Sequence, residues 1–378
     1  MPTFNLDLAL QPMNLIYNPS GKYAESIRRF QGIPTLERTP SGRLWAAFYG
    51  GGTGENLENF VLLLFSDNDG LTWRKYLALD MPDAPVRAYD PCLWIAPDGR
   101  LLLFYAQTYC VNGQEGYNPT CDGRCGVWFI ASSDPDGENP TFTAPRRVAN
   151  GVMMDKPTVT ADGTWLLPCA IWQFVKNYAI DLPEERFSNV YASYDNGESF
   201  SLIGRAEHPQ RFIDEHQIVQ RRDGSLRMYI RCRPEYGIGT ADSFDGGRTW
   251  ENPAASGIQN PCSRFFIRRT KSGRLLLVNH ATDKTRSHLT AYLSDDDGET
   301  WIGGLLIDEH DGVSYPDGAE GPDGVFHIVH DYNRYGSGDV FVSRFTEEDI
   351  LAGKLVSDGS YLCRLVSCIG GNRFAPTT

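Results

Sequence analysis

Six times along the chain, a polar residue followed by glycine interrupts alternating apolar residues. The copies are Ser41-Gly42-Arg43-Leu44-Trp45, Asp98-Gly99-Arg100-Leu101-Leu102, Asp162-Gly163-Thr164-Trp165-Leu166, Asp223-Gly224-Ser225-Leu226-Arg227, Ser272-Gly273-Arg274-Leu275-Leu276 and Asp323-Gly324-Val325-Phe326-His327. Asp-Gly or Ser-Gly between apolar runs marks a β-hairpin, because the turn needs positive φ. The copies recur about every 50–60 residues, a period that belongs to repeat architectures.

A second motif interleaves with the first. Ser66-Asp67-Asn68-Asp69-Gly70-Leu71-Thr72-Trp73 returns as Ser193-Tyr194-Asp195-Asn196-Gly197-Glu198-Ser199-Phe200, then as Ser243-Phe244-Asp245-Gly246-Gly247-Arg248-Thr249-Trp250, and again as Ser294-Asp295-Asp296-Asp297-Gly298-Glu299-Thr300-Trp301. A degenerate copy is Ser133-Asp134-Pro135-Asp136-Gly137, with Phe142 in the aromatic place. Each reads as a β-turn in which a carboxylate accepts backbone N–H groups, Gly takes the positive-φ position and the aromatic ring plugs a gap between sheets. The motif resembles the Asp-box of sialidases and related proteins, and it speaks to fold far more than to catalysis.

Two hairpins per unit and six units predict an all-β chain folded as one six-bladed β-propeller over residues 1–378. Residues 341–345 or Tyr361–Ser367 are expected to pair with N-terminal strands and close the ring, since a propeller leaves no long open edge. The best helical stretch is short, Thr346 to Ala352, with Thr346 as N-cap. Longer loops fall at residues 50–59, 108–125 and 173–188.

Composition narrows the function classes. The net charge of −13 comes with no Lys/Arg-rich patch, which argues against nucleic acid as a partner. No apolar run is long enough to span a membrane. The opening Met1-Pro2-Thr3-Phe4-Asn5-Leu6-Asp7 lacks a basic stretch leading into an apolar one, so the sequence as given is expected in the cytoplasm, or in the periplasm or outside the cell if a leader was removed. Nine cysteines show no obvious framework; Cys110, Cys121 and Cys125 cluster, but their spacing is a weak zinc signal, and they read as structural thiols. No cofactor or metal is expected, and His216 beside Asp214 and Glu215 reads as pocket polarity.

In a propeller the innermost strands start in a ring around the central axis. Counting about eight residues back from each turn glycine gives Gln31-Gly32, Asp90, Asp155-Lys156, Glu215-His216, Ser263-Arg264 and Tyr315 to Asp317. Five of the six positions offer charge at one end of one axis. Glu215 and Arg231 stand 16 positions apart across a hairpin, and so do Tyr315 and Asp331. Equal arms return both ends of each hairpin to the same edge of a sheet, so these four residues can meet in one pocket.

These segments are similar to those of sialidases. Glu215 to Arg231 looks like the family segment that begins with Glu and ends with Arg. Tyr315 to Asp331 resembles the one that carries the nucleophilic Tyr, and Arg286 to Leu293, running into an Asp-box, resembles the one that places a further Arg. The resemblance implies Tyr315 as nucleophile, Glu215 as its base, and Arg231 and Arg286 as two cations of an arginine triad that holds a carboxylate. Asp331 matches the acid that orients the triad's first Arg. That Arg is missing, because Phe30-Gln31-Gly32-Ile33-Pro34 has Gly32 where the family has Arg. Arg28, Arg29, Arg87 and Arg264 are the candidate replacements. The family's acid/base, an Asp before the first Asp-box, is also missing. Glu55 or Glu58 can take its place, and position favours Glu58. Asp90, Asp155, Lys156, Arg264 and Arg87 are expected around the substrate.

The resulting expectation is an exo-acting glycoside hydrolase that releases a terminal sialic acid or related acidic sugar. The alternatives are a glycosidase or lyase of the same fold acting on another terminal sugar, and a propeller that binds glycan without catalysis. Loss of the Arg at position 32 favours the former alternative; retention of both Tyr315 and Glu215 argues against the latter.

Overall fold

The computed structural model describes residues 5–109, 123–172 and 180–370, and almost every element in it is a strand. They form six antiparallel sheets, each from one contiguous stretch of chain. Blade 1 comprises Gln31–Arg38, Leu44–Gly50, Phe60–Ser66 and Arg74–Asp80, with Asn14–Tyr17 as a fifth, outer strand. Blade 2 runs from Val86–Ile95 to Arg146–Asn150, and blade 3 from Thr158–Val159 to Ser201–Ala206. Blade 4 runs from Arg211–Gln220 to Glu251–Ala255, blade 5 from Phe266–Arg269 to Ile302–Asp308, and blade 6 from Val313–Glu320 to Tyr361–Ser367.

Both sequence motifs do the local work expected of them. The six hairpin glycines, Gly42 to Gly324, all sit at positive φ between the first and second strands of their blades. In the interleaved motif the side chains of Asn68, Asp195, Asp245 and Asp296 accept the backbone N–H of Thr72, Ser199, Thr249 and Thr300 at 2.8–2.9 Å. The motif's aromatic rings then reach the seams: Phe200 of blade 3 meets Phe129 of blade 2 edge-on at 6.1 Å. The helix Glu347–Ala352 forms with Thr346 and Asp349 in a reciprocal capping box.

Ring closure differs from expectation. Tyr361–Ser367 pairs with Asp339–Phe345 inside blade 6, and the N-terminal Asn14–Tyr17 pairs with Arg74–Asp80 inside blade 1. Among the described residues no strand is shared between the first and last blades. Their join is made instead by side chains and packing. Asp317 of blade 6 accepts the Thr35 hydroxyl at 2.6 Å and the Leu36 N–H at 3.0 Å. Leu36, Leu44 and Phe48 share one core cluster with Val329, Val340 and Val366. Burial of that apolar surface replaces the hydrogen bonds of a shared blade.

One irregularity positions the site. Four innermost strands slip register near their starts, at Gly32/Thr35, Tyr89/Cys92, Arg211/His216 and Ser314/Asp317. Each irregularity holds a non-Gly residue in the left-handed region: Ile33 at φ 54°, Asp90 at 48°, Ile213 at 52° and Tyr315 at 54°. A bulge bends its strand and re-aims one side chain. Such backbone is costly for Ile or Tyr, and clusters where a site requires it.

Candidate active site

At the mouth of the axis Tyr315 donates its hydroxyl hydrogen to Glu215 Oε1 at 3.1 Å. Arg231 Nη1 lies 2.7 Å from the same carboxylate oxygen and 3.5 Å from the Tyr315 hydroxyl. All three side chains are buried. Two more guanidinium groups face the ring: Arg334 lies 4.6 Å and Arg286 5.5 Å from its centroid. Arg286 also donates to the Cys262 carbonyl at 3.1 Å, which holds it over the site. Several buried polar atoms in this group have no hydrogen-bond partner among the described residues: Glu215 Oε2, Arg231 Nε and Arg334 Nη1. Buried polar atoms are rarely left so, and here they converge on one ring.

Burial pushes the Tyr315 phenol above its ordinary pKa and negative Glu215 adds to this, while Arg231, Arg286 and Arg334 pull the other way. The phenol therefore stays neutral at rest with an acceptor already in contact. Asp90 is buried and rises well above the usual carboxylate range, first through burial and then through Glu55 and Glu215, with Arg87 opposing.

Arg334 is absent from the sequence-based set. It lies just past the end of the Phe326–Tyr332 strand, outside every segment that the ring count or the family spacing selects. Its side chain is 11% exposed, its Nε sits 3.4 Å from Asp331 Oδ2, and its Nη1 sits 3.8 Å from Glu55. Asp331 is held in turn by Ser314 Oγ at 2.6 Å and the Ile33 N–H at 2.8 Å. The only advance signals were an acid without its expected Arg and a Gly where that Arg should stand.

Other expected residues take different places. Of the candidate replacements, Arg28 is buried against Gln31, the Tyr23 carbonyl and Ser367. Arg29 lines a separate cavity with Lys22, Asp80 and Glu58. Arg87 stacks 4.1 Å from the Tyr89 ring. Arg264, Asp155 and Lys156 do not line the mouth; they form a closed network within the axis. Arg264 reaches Asp155 at 2.7 Å and Asp317 at 3.1 Å, while Lys156 reaches Glu37 at 2.9 Å and Asp317 at 3.3 Å. All five side chains are almost fully buried, so these charges hold blades 1, 3, 5 and 6 together.

Glu58 needs a similar correction. It is exposed and faces the separate cavity, because the Gly50–Asn59 loop turns it outward. Glu55, three residues earlier, points to the Tyr315 side and accepts the Tyr335 hydroxyl at 3.3 Å. His216 is buried with Nε2 2.8 Å from the Asn189 carbonyl, and it joins no metal-binding group among the described residues. Of the sequence-flagged cysteines, Cys110 and Cys121 lie outside the described residues; Cys125 is buried beside the Tyr89 hydroxyl.

Fold and site together define a class: this is a six-bladed β-propeller of sialidase type, with its polar residues gathered at one end of the axis. The chain belongs to the BNR repeat-like domain family, whose model matches residues 42–328. Among solved structures it is similar to the Hadza microbial sialidase Hz136, at 18% identity and TM-score 0.68, over 86% of this chain and 67% of that one. It is similar to the leech intramolecular trans-sialidase at 16% identity and TM-score 0.65, over 90% of this chain and 71% of that one. The intramolecular trans-sialidase of Ruminococcus gnavus matches at 15% identity and TM-score 0.64, over 91% of this chain and 99% of that one. No curated protein matches by sequence. At these identities the structural likeness carries the fold alone.

Proposed function

We propose that this propeller is an exo-acting glycoside hydrolase of sialidase type that releases a terminal sialic acid or related acidic sugar. One observation carries the reading: a buried Tyr315 hydroxyl donates to Glu215 while three guanidinium groups surround its ring. Arg231 and Arg334 pair with Glu215 and Asp331, while Arg286 has no carboxylate partner among the described residues; guanidinium groups gathered in this way suit a ligand carboxylate, which Arg recognises through paired, charge-assisted bonds. An anionic nucleophile would be repelled by a carboxylate on the reacting carbon. A neutral phenol avoids that repulsion, and Tyr-nucleophile sialidases are the known exception to two-carboxylate glycosidases.

In the proposed reaction, Tyr315 Oη attacks the anomeric carbon as Glu215 takes its proton. The bond to the leaving oxygen breaks as Glu55 protonates that oxygen. Arg231 pairs with Glu215 and lies within reach of the attacking Tyr315 oxygen. Asp90 hydrogen-bonds a hydroxyl of the sugar. Water, deprotonated by Glu55, then attacks the anomeric carbon; the bond to Tyr315 breaks and the phenol recovers its proton from Glu215.

The test is a panel of chromogenic glycosides, one sialoside and several neutral sugars, given to the wild-type protein and to Tyr315→Phe. Turnover of the sialoside alone, abolished in the variant, supports the reading. Preferential turnover of neutral glycosides, or an unaffected variant, overturns it.

A further inference from the structure

Away from the axis, the seam between blades 5 and 6 collects a second group of reactive side chains. Asp308 ends the outermost strand of blade 5. His330 lies on the second strand of blade 6, and Cys363 on its outermost strand. Asp308 Oδ2 is 3.0 Å from His330 Nε2 and 3.6 Å from Cys363 Sγ. One ligand atom from each residue lies within 4.8 Å of the other two. The second carboxylate oxygen, Asp308 Oδ1, is 2.7 Å from His310 Nδ1. His330 and Asp308 are buried, Cys363 is half-buried, and His310 stands at the open side with 67% of its side chain exposed.

The chain is bent to make this meeting. Cys363 sits at φ 52°, and the strand pairing slips register around it, between Val342 and Arg344. The slip is a bulge, and bulges turn a side chain out of its regular direction. Here the thiol crosses the seam to the last turn of the neighbouring blade. Ligand atoms bound tetrahedrally at 2.0–2.3 Å stand about 3.3–3.8 Å from one another. The two spacings to Asp308 Oδ2, 3.0 and 3.6 Å, lie close to that range, and the third is under 4.8 Å, so side-chain movements would bring all three onto one ion. A thiolate, an imidazole and a carboxylate suit a borderline-soft divalent cation better than a hard one.

We propose that Asp308, His330 and Cys363 form a binding site for one divalent transition-metal ion of the zinc class, with His310 orienting the Asp308 carboxylate from the open side. The site is independent of the proposed activity. Binding releases the Cys363 proton to solvent and leaves the remaining proton of His330 on Nδ1; no electron is transferred. Ligands from two blades make the ion a cross-link of the seam, so its affinity adds to folding stability.

The full chain, stripped with a chelator, is titrated with Zn²⁺ and with Co²⁺ and followed by calorimetry, thermal melting and absorption. One equivalent is expected to bind. Zn²⁺ should raise Tm by at least about 3 °C at saturating concentration. Co²⁺ should produce a thiolate-to-cobalt charge-transfer band. Cys363→Ser should abolish that band and weaken Zn²⁺ binding by more than about 100-fold, beyond the loss from outer-shell changes. A variant-free check is alkylation of Cys363 mapped by mass spectrometry, which Zn²⁺ should suppress in the wild-type protein. Absence of the band, its survival in Cys363→Ser, or equal alkylation with and without Zn²⁺ would overturn the proposal. So would Zn²⁺ stabilisation that His310→Ala alone removes and Cys363→Ser leaves intact.

Discussion

Arg334 occupies the space that a side chain at position 32 would need. A Cβ placed on Gly32 would overlap Arg334 Cδ and Cγ and come within 2.7 Å of Asp331 Oδ2. The guanidinium missing from the innermost strand of blade 1 thus has a counterpart from blade 6, paired with the same Asp331 that was expected to orient it. Arg334→Ala should raise KM for an acidic sugar by about 10–100-fold, the worth of a charge-assisted hydrogen bond. Gly32→Arg alone should lower Tm, since its side chain has nowhere to go. Gly32→Arg with Arg334→Ala should regain part of both losses, measured as KM and Tm. A double variant no better than either single one would show that the two positions do not exchange a role.

That exchange also shows what the sequence conveyed and what it withheld. Turn glycines and the Ser-x-Asp motifs have strong local causes, so blade number and hairpin positions were legible in Gly42 through Gly324. Glu215, Arg231 and Tyr315 were legible because equal hairpin arms return their ends to one edge. The direction of a side chain at a bulge is not a local property. Tyr315 and Ile33 hold positive φ because neighbouring blades over-determine them. For the same reason Arg264 and Lys156 appeared as rim charges and proved to be axial cross-links. The choice between Glu55 and Glu58 depended on how a glycine-rich loop folds, which spacing does not specify. Ring closure was misread because sheet pairing is only one way to cover an edge; the Leu36–Val340 cluster is another.

Tyr315→Phe removes one oxygen from the centre of the site and keeps the ring packed. Glu215 retains Arg231, so stability should fall by no more than about 1 kcal/mol. Turnover of the true substrate should fall by several orders of magnitude. Glu215→Gln should cost about 10²–10⁴-fold, the usual share of a general base. Residues that act as a unit are non-additive, so the double variant should be no slower than Tyr315→Phe alone. Additive losses in kcat would separate the two roles.

The two loop acids make opposite predictions. Glu55 lies beside Arg334 and Tyr335, whereas Glu58 faces a different cavity. Glu55→Gln should slow natural glycosides with poor leaving groups by about 10²-fold or more, and activated aryl glycosides much less, because a good leaving group needs no proton. Glu58→Gln should leave both near wild type. If Glu58→Gln gives the leaving-group dependence instead, the loop must refold on binding substrate.

Acid should remove the stability contributed by two buried imidazoles. Burial pushes His216 and His280 down to about 4, with backbone carbonyl bonds opposing the shift. The folded state therefore binds fewer protons than the unfolded chain between about pH 6.5 and pH 4. Each residue's contribution is fully present above the unfolded value near 6.5, and falls away as pH drops through the folded value. A shift of this size is worth roughly 3 kcal/mol per residue. Asp155 and Asp214, raised by burial to about 7 and about 6, act in the opposite sense over an overlapping range. A comparison with a variant isolates the histidine. His216→Gln keeps a donor for the Asn189 carbonyl but cannot titrate. Its stability should fall less than that of the wild type between pH 6.5 and pH 4.5 in denaturant titrations, with the difference growing as pH falls. Parallel curves over that range would mean that His216 is already neutral in the unfolded chain or accessible to protons in the folded one.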